Sequence, residues 1–135
     1  CSEKHLKKKW PHYKELVTKL KYIYKNKYTI LIAPGPGEIK KSFNFNAKVI
    51  LDNSNPLNLN QLITLIKDAK YIIANDTGPA HISSHMKKNG LVLFGKHTTA
   101  EKVSLGNDNF KPISVDNLKN LSVDNVIKEI KKNLN

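Results

Sequence analysis

Short apolar runs alternate with longer amphipathic stretches along this chain. The short runs are rich in β-branched side chains and predict strands, whereas apolar residues spaced three and four positions apart predict helices. The predicted strands cover residues 28–33, 48–51, 70–75, 91–94 and 110–114, the last of them weakened by Pro112. The predicted helices cover residues 12–26, 58–69, 77–88 and 122–134. This alternation predicts an α/β fold, a Rossmann-like parallel sheet with helices on both faces.

Several helix ends carry sequence signals. Asn58 precedes a helical pattern and Gln61 follows three residues later, which is the spacing of a capping box. Ser122 is the predicted N-cap of the last helix. Gly90 follows the helix predicted to end at residue 88, so we place it at that helix's C-cap.

Loops rich in glycine, proline and polar residues follow the first four predicted strands. In open α/β sheets, ligands bind beyond the carboxyl ends of the strands. The chemistry of this chain is therefore expected in the loops covering residues 34–41, 52–57, 76–81 and 95–99.

The most informative of these loops is residues 76–81 (DTGPAH), which join the third predicted strand to a helix. The first turn of a helix offers unpaired backbone N–H groups and the positive end of its dipole. Gly78 would let a ligand approach the backbone, Thr77 can add a hydroxyl, and His81 lies one turn further on the same face. The loop therefore predicts a diphosphate site. The alternative is a structural loop in which Asp76 or Thr77 caps the helix and His81 only packs beneath it.

Charge and composition narrow the function further. The chain has 135 residues, the length of one domain, and a formal net charge of +12. All 23 basic residues are lysines. Proteins that read bases or hold phosphates through paired hydrogen bonds favour arginine, so we interpret most of this charge as a compositional background and predict no specific nucleic-acid partner. A basic nucleic-acid-binding module stays as the less favoured alternative.

Cysteine and histidine counts exclude two other classes of site. Cys1 is the single cysteine, so the chain cannot form an internal disulfide. His81 and His85 have the spacing of two metal ligands on one helix face, but no third ligand is evident beside them. We therefore predict no metal and no cofactor.

Several segments together resemble glycosyltransferase family 9, the ADP-heptose:lipopolysaccharide heptosyltransferases and their relatives. Residues 76–81 followed by 91–95 (LVLFG) resemble the C-terminal half of these enzymes. Residues 8–11 (KKWP) are similar to the family's Lys-x-Trp-Pro opening, and residues 34–38 (PGPGE) to its glycine-rich strand end with a following acid. The resemblance covers residues 7–98.

This family has the GT-B architecture, in which two Rossmann-like domains face each other across a cleft. The resemblance implies that residues 1–135 form a single nucleotide-sugar-binding domain, the C-terminal half of a larger enzyme whose N-terminal acceptor domain is absent here. It also implies the donor-binding residues, which are Lys8 for the phosphates and sugar, Glu38 for the nucleoside, Thr77, Gly78 and His81 for the diphosphate, and Asp76 beside them. The register of Lys8 is open by one position, and Glu38 could instead be an acid favoured by a helix dipole.

The implied reaction is inverting, metal-independent transfer of a sugar from an ADP-heptose-like donor to a lipopolysaccharide core acceptor in a bacterium. The catalytic base is expected in the missing domain, so the isolated chain would bind nucleotide but be inactive. The resemblance implies a cytoplasmic protein, either free or peripheral at the inner face of the inner membrane. The exposed domain face could support a dimer. The alternative is a non-catalytic Rossmann-like domain that binds another nucleotide or phosphate ligand.

Overall fold

The structure is a computed structural model, and it describes residues 10–75, 77–95 and 109–134. The helices in chain order are α1 (Tyr13–Tyr24), α2 (Ile39–Ser42), α3 (Leu59–Asp68), α4 (Gly78–His85) and α5 (Val123–Asn133). The strands are β1 (Leu31–Ile32), β2 (Lys48–Val49), β3 (Ile72–Asn75), β4 (Gly90–Phe94) and β5 (Phe110–Ser114). None of the helices in these ranges has the length and apolar character needed to cross a membrane.

The strands pair in parallel, which confirms the predicted α/β fold class. β1 pairs with β2, and β3, β4 and β5 form a second group with β4 in the middle. Within the described residues the sheet therefore has two parts. β1 is shorter than the predicted strand 28–33, because its regular pairing with β2 covers Leu31 and Ile32 among the described residues.

β4 lies at the centre of the core and is buried along its whole length. Leu91 and Leu93 point to one face, where α1 and α5 pack on them. Val92 and Phe94 point to the other face, against Ala80 of α4. A strand covered on both faces is expected to be apolar at successive positions, which is the pattern that residues 91–94 show.

β5 occupies the edge of its group, and this position accommodates Pro112. Gly90 donates to the carbonyl of Asn109 at 3.1 Å, and Val115 donates to the carbonyl of Phe94 at 3.0 Å. Odd-numbered residues of β5 therefore turn their backbone groups toward β4. The nitrogen of Pro112 faces away from β4, on the side where none of the described strands pairs with β5, so its missing N–H costs no hydrogen bond to them.

Two of the three predicted helix caps are confirmed. Asn58 and Gln61 form a reciprocal capping box, with hydrogen bonds of 2.8 and 2.9 Å between side chain and backbone. Ser122 Oγ accepts a 3.1 Å hydrogen bond from the Asn125 N–H at the start of α5.

The predicted role of Gly90 as a C-cap is wrong. α4 ends at His85 rather than at residue 88, and Lys87 takes the left-handed backbone conformation with φ 54°. Gly90 instead opens β4, where a Cβ atom would lie 2.1 Å from the carbonyl oxygen of Ile72. The glycine is needed because the backbones of β3 and β4 approach closely at this point.

Candidate functional site

The carboxyl ends of β1 and β3 open on one cleft with a volume of about 2040 Å³, which is also lined along its length by apolar side chains of α1, α3 and α5. We call it the strand-end cleft. The residues that line it on the side of these loops include Tyr13, Pro34, Gly35, Glu38, Asn75 and Thr77. The cleft exceeds the range of about 300–1,000 Å³ that is usual for a small-molecule site. A ligand at the strand ends would therefore fill only part of it.

Thr77 connects β3 to α4 and forms the N-cap of this helix. Its backbone is extended, and its carbonyl accepts hydrogen bonds from the N–H groups of Ala80 at 3.0 Å and His81 at 3.2 Å. Its side chain does not cap the helix, because the hydroxyl donates to the carbonyl of Asn75 at 3.2 Å. The hydroxyl group is therefore not required for α4 to begin here.

The first turn of α4 offers fewer backbone donors than the sequence prediction assumed. Pro79 occupies the second position of the helix and has no N–H. The N–H groups of Ala80 and His81 already bond to Thr77. Within the described part of the chain, these bonds leave the N–H of Gly78 as the available donor of the first turn.

Gly78 and His81 are exposed beside the strand-end cleft. Among the residues that the structure describes, a Cβ atom at Gly78 would meet nothing within 4 Å, so the space over this backbone is open on that side. His81 and His85 lie on the same short helix. Within the described ranges, no three His, Cys, Asp or Glu side chains are grouped so that they could hold a metal ion.

Glu38 approaches the same cleft from the loop after β1. Its N–H donates to the carbonyl of Gly35 at 3.1 Å, and its carbonyl accepts from Ser42 at 3.1 Å, which starts the short helix α2. Its side chain does not cap that helix. A Cβ atom at Gly35 would lie 3.5 Å from Glu38 Oε1, so the carboxylate folds back over the glycine loop.

Tyr13 lies close enough to Glu38 to respond to its charge. Burial of the ring, together with the negative charge on Glu38, raises the pKa of Tyr13 well above its ordinary value. The phenol therefore keeps its proton, and its ability to donate a hydrogen bond, to a more alkaline pH than an exposed tyrosine does. It donates to Asn75 Oδ1 at 2.9 Å.

Asn75 was not among the residues that the sequence indicated. It is the last residue of β3 and only 8% exposed. Its Oδ1 atom accepts hydrogen bonds from the Tyr13 hydroxyl and, at 3.4 Å, from the Trp10 N–H. A polar side chain that ends an apolar strand directly before residues 76–81 was the available signal, whereas Tyr13 appeared only as part of an apolar helix face.

The structure thus brings Glu38 and Thr77 to one cleft, with Tyr13 and Asn75 between their loops, and puts Gly78 and His81 beside it. Lys8 and Asp76, which the resemblance also implies, lie outside the described residues.

Comparison with known proteins now identifies the family. The chain matches the family model of glycosyltransferase family 9 (heptosyltransferase) over residues 1–129. The chain belongs to this family. A comparison with curated proteins found no match.

Solved structures of heptosyltransferases share the fold. Escherichia coli heptosyltransferase WaaC with ADP is similar at a TM-score of 0.81 and 20% identity, over 94% of this chain and 40% of that one. The same enzyme with ADP-2-deoxy-2-fluoro heptose gives a TM-score of 0.77 at 19% identity, over 94% and 39% of the two chains. Escherichia coli ADP-heptose LPS heptosyltransferase II gives a TM-score of 0.76 at 19% identity, over 98% of this chain and 44% of that one. This chain therefore spans less than half the length of these relatives.

Proposed function

We propose that this chain is the nucleotide-sugar-binding domain of a family 9 glycosyltransferase, and that Glu38 and the start of α4 hold the two ends of the donor. The observation that carries this proposal is that Glu38 and Thr77 line one cleft at the carboxyl ends of β1 and β3, beside the open backbone of Gly78. The family match over residues 1–129 and the relatives solved with ADP and with an ADP-heptose analogue support it.

The nucleoside lies on the Glu38 side of the cleft in this proposal. A carboxylate accepts hydrogen bonds from two ribose hydroxyls, and the fold of Glu38 over Gly35 turns it toward the loop beyond β1. The diphosphate lies at the start of α4, where the Gly78 N–H and the helix dipole favour an anion. His81, Lys8 and Asp76 complete the donor site as the family resemblance implies.

Sugar transfer makes the diphosphate a leaving group, and negative charge increases on it as the glycosidic bond breaks. Donors already in place around that charge lower the barrier without a metal ion. In this proposal the Gly78 N–H is such a donor, and the family resemblance assigns the same role to Lys8. The Thr77 hydroxyl donates to the Asn75 carbonyl in the structure, so it must exchange that hydrogen bond for one to the ligand.

We further propose that residues 1–135 are the C-terminal half of the enzyme, and that the N-terminal half holds the acceptor and the base. With that base, the full enzyme would transfer a heptose-like sugar with inversion to a lipopolysaccharide core acceptor, without a cofactor. It would act in the bacterial cytoplasm or at the inner face of the inner membrane. Two copies of the chain would associate through the domain face that the N-terminal half would otherwise cover. The coverage of only 40% of the chain of WaaC supports this division.

Isothermal titration of the chain with ADP and with ADP-heptose tests the binding part of the proposal. Trp10, the single tryptophan, lines the strand-end cleft and its ring lies 5.1 Å from that of Tyr13, so its fluorescence is a second readout. Saturable binding of both ligands is expected, with no sugar transfer by the chain alone. Absence of heat and of a thermal shift at millimolar ligand would contradict the proposed function, and transfer by the isolated chain would contradict the position of the base.

A further inference from the structure

The orientation of the Asn75 side chain is fixed by its partners. A backbone N–H can only donate, and a phenol that keeps its proton donates to the same atom. The atom that receives both Trp10 and Tyr13 must therefore be the oxygen of the amide. The amide nitrogen, Nδ2, points the opposite way.

Nδ2 is a buried donor without a hydrogen-bond partner in the described part of the chain. Buried polar groups in proteins nearly always have a partner, so an isolated one calls for an explanation. Asn75 lines the strand-end cleft and immediately precedes the loop that starts α4. The residue that carries the unused donor thus adjoins the loop where the anion is expected.

We propose that Asn75 Nδ2 donates a hydrogen bond to a diphosphate oxygen of the bound nucleoside diphosphate, as a further binding residue of the donor site. The inference rests on the proposed function. A diphosphate oxygen fits better than a ribose hydroxyl because Asn75 is next to the first turn of α4, whereas the nucleoside lies toward Glu38. A diphosphate oxygen is also an acceptor only, which matches a group that can only donate.

Tyr13 and Trp10 prepare this donor for the ligand. Their hydrogen bonds to Oδ1 hold the amide plane in place, so little rotamer freedom is lost when Nδ2 binds. The hydrogen bond would form away from bulk water, where a bond to an anion is strongest.

Asn75→Asp is the variant that tests the donor. It keeps an oxygen for Trp10 and Tyr13 but replaces Nδ2 with a second carboxylate oxygen, which repels a diphosphate. We expect its dissociation constant for ADP to rise at least about tenfold, while that for adenosine changes less than about twofold. Asn60→Asp is the matched control, because it makes the same charge change at an exposed position of α3 away from the cleft lining. Its ADP affinity should stay within about twofold of the wild-type value.

Equal ADP affinity of Asn75→Asp and wild type would overturn this inference alone. An equal loss of affinity for ADP and for adenosine would also overturn it, because that pattern indicates a general distortion of the site. Failure of the wild-type chain to bind ADP would overturn the proposed function and this inference with it.

A measurement on the wild-type chain covers the case in which Asn75→Asp does not fold. The side-chain ¹⁵N–¹H signals of Asn75 are followed by NMR during titration with ADP and with adenosine. We expect a shift and slower hydrogen exchange with ADP and little change with adenosine. Unchanged signals at saturating ADP would overturn the inference.

Discussion

The Tyr13 hydroxyl donates a 2.9 Å hydrogen bond to Asn75 Oδ1, which joins the start of α1 to the end of β3 across 62 positions of the sequence. The same oxygen takes the Trp10 N–H, so the segment that enters α1 is attached to the strand that leads into the Thr77 loop. The start of α1 and the strand that leads into the Thr77 loop are thereby connected through one side chain.

Loss of the Tyr13 hydroxyl should destabilise the protein. Tyr13→Phe removes one of the two donors to Asn75 Oδ1, in a region that is largely buried, and we expect the free energy of unfolding to fall by about 1 kcal/mol. Urea denaturation measures this change. Tyr22→Phe is the matched control, because Tyr22 is 82% exposed. Its free energy of unfolding should equal that of the wild type. Equal stabilities of the two variants would contradict the assigned hydrogen bond.

The high pKa of Tyr13 has a defined consequence at alkaline pH. The unfolded chain loses the phenolic proton near the ordinary tyrosine pKa, whereas the folded protein holds it to higher pH. The contribution of this group to stability is therefore complete below about pH 10 and is lost as the pH rises through the folded pKa. When the free energy of unfolding is measured from pH 8 to 11, it should decline above about pH 10. This decline should be smaller in Tyr13→Phe than in the wild type. Identical profiles would show that Tyr13 is not the group responsible.

Substitution of the loop residues should separate ligand binding from helix capping. Thr77→Val removes the hydroxyl but keeps the side-chain shape, and since that hydroxyl does not cap α4, the melting temperature should change little. His81→Ala changes an exposed side chain. Both variants should bind ADP at least about tenfold more weakly in a titration.

His85→Ala is the control for these two variants, because His85 is exposed at the far end of the same helix. It should bind ADP like the wild type. If all three variants bind like the wild type, the loop has only a structural role.

Two glycines should respond in opposite ways to alanine. Gly90→Ala puts a Cβ atom 2.1 Å from the Ile72 carbonyl oxygen, where only backbone movement can relieve the clash. We expect a loss of about 3 kcal/mol in the free energy of unfolding, or failure to fold. Gly78→Ala meets open space, so its stability should stay within about 0.5 kcal/mol of the wild-type value. Comparable losses in the two variants, measured by thermal and urea denaturation, would contradict the strand contact.

The parts of the structure that follow from local rules were predictable from the sequence. The capping box at Asn58, the N-cap at Ser122 and the buried run at residues 91–94 each depend on neighbours a few positions away. Gly90 was assigned to the wrong role because its requirement comes from Ile72 on another strand. The contact between Tyr13 and Asn75 has the same origin, since no local pattern indicates a partner far away in the sequence.

Of the candidate site, the sequence and the family resemblance predicted the loops and the residue types, and the structure brings Glu38 and Thr77 to a common cleft. The sequence did not predict how few backbone N–H donors remain at the start of α4. That number depends on the bonds of Ala80 and His81 to Thr77, which only the geometry of the first turn determines.

Trp10 Nε1 donates to the carbonyl of Leu121 at 2.9 Å, which attaches the entrance of α1 to the turn before α5. One of the two hydrogen bonds that orient the amide of Asn75 thus depends on a part of the chain that touches no ligand in our proposal. A protein shortened before Leu121 would keep Glu38, Thr77 and Gly78, yet it would lose this carbonyl together with α5, which packs on Leu91 and Leu93 in the core. Damage near the C-terminus would therefore reach the ligand site through the core as well as through Trp10.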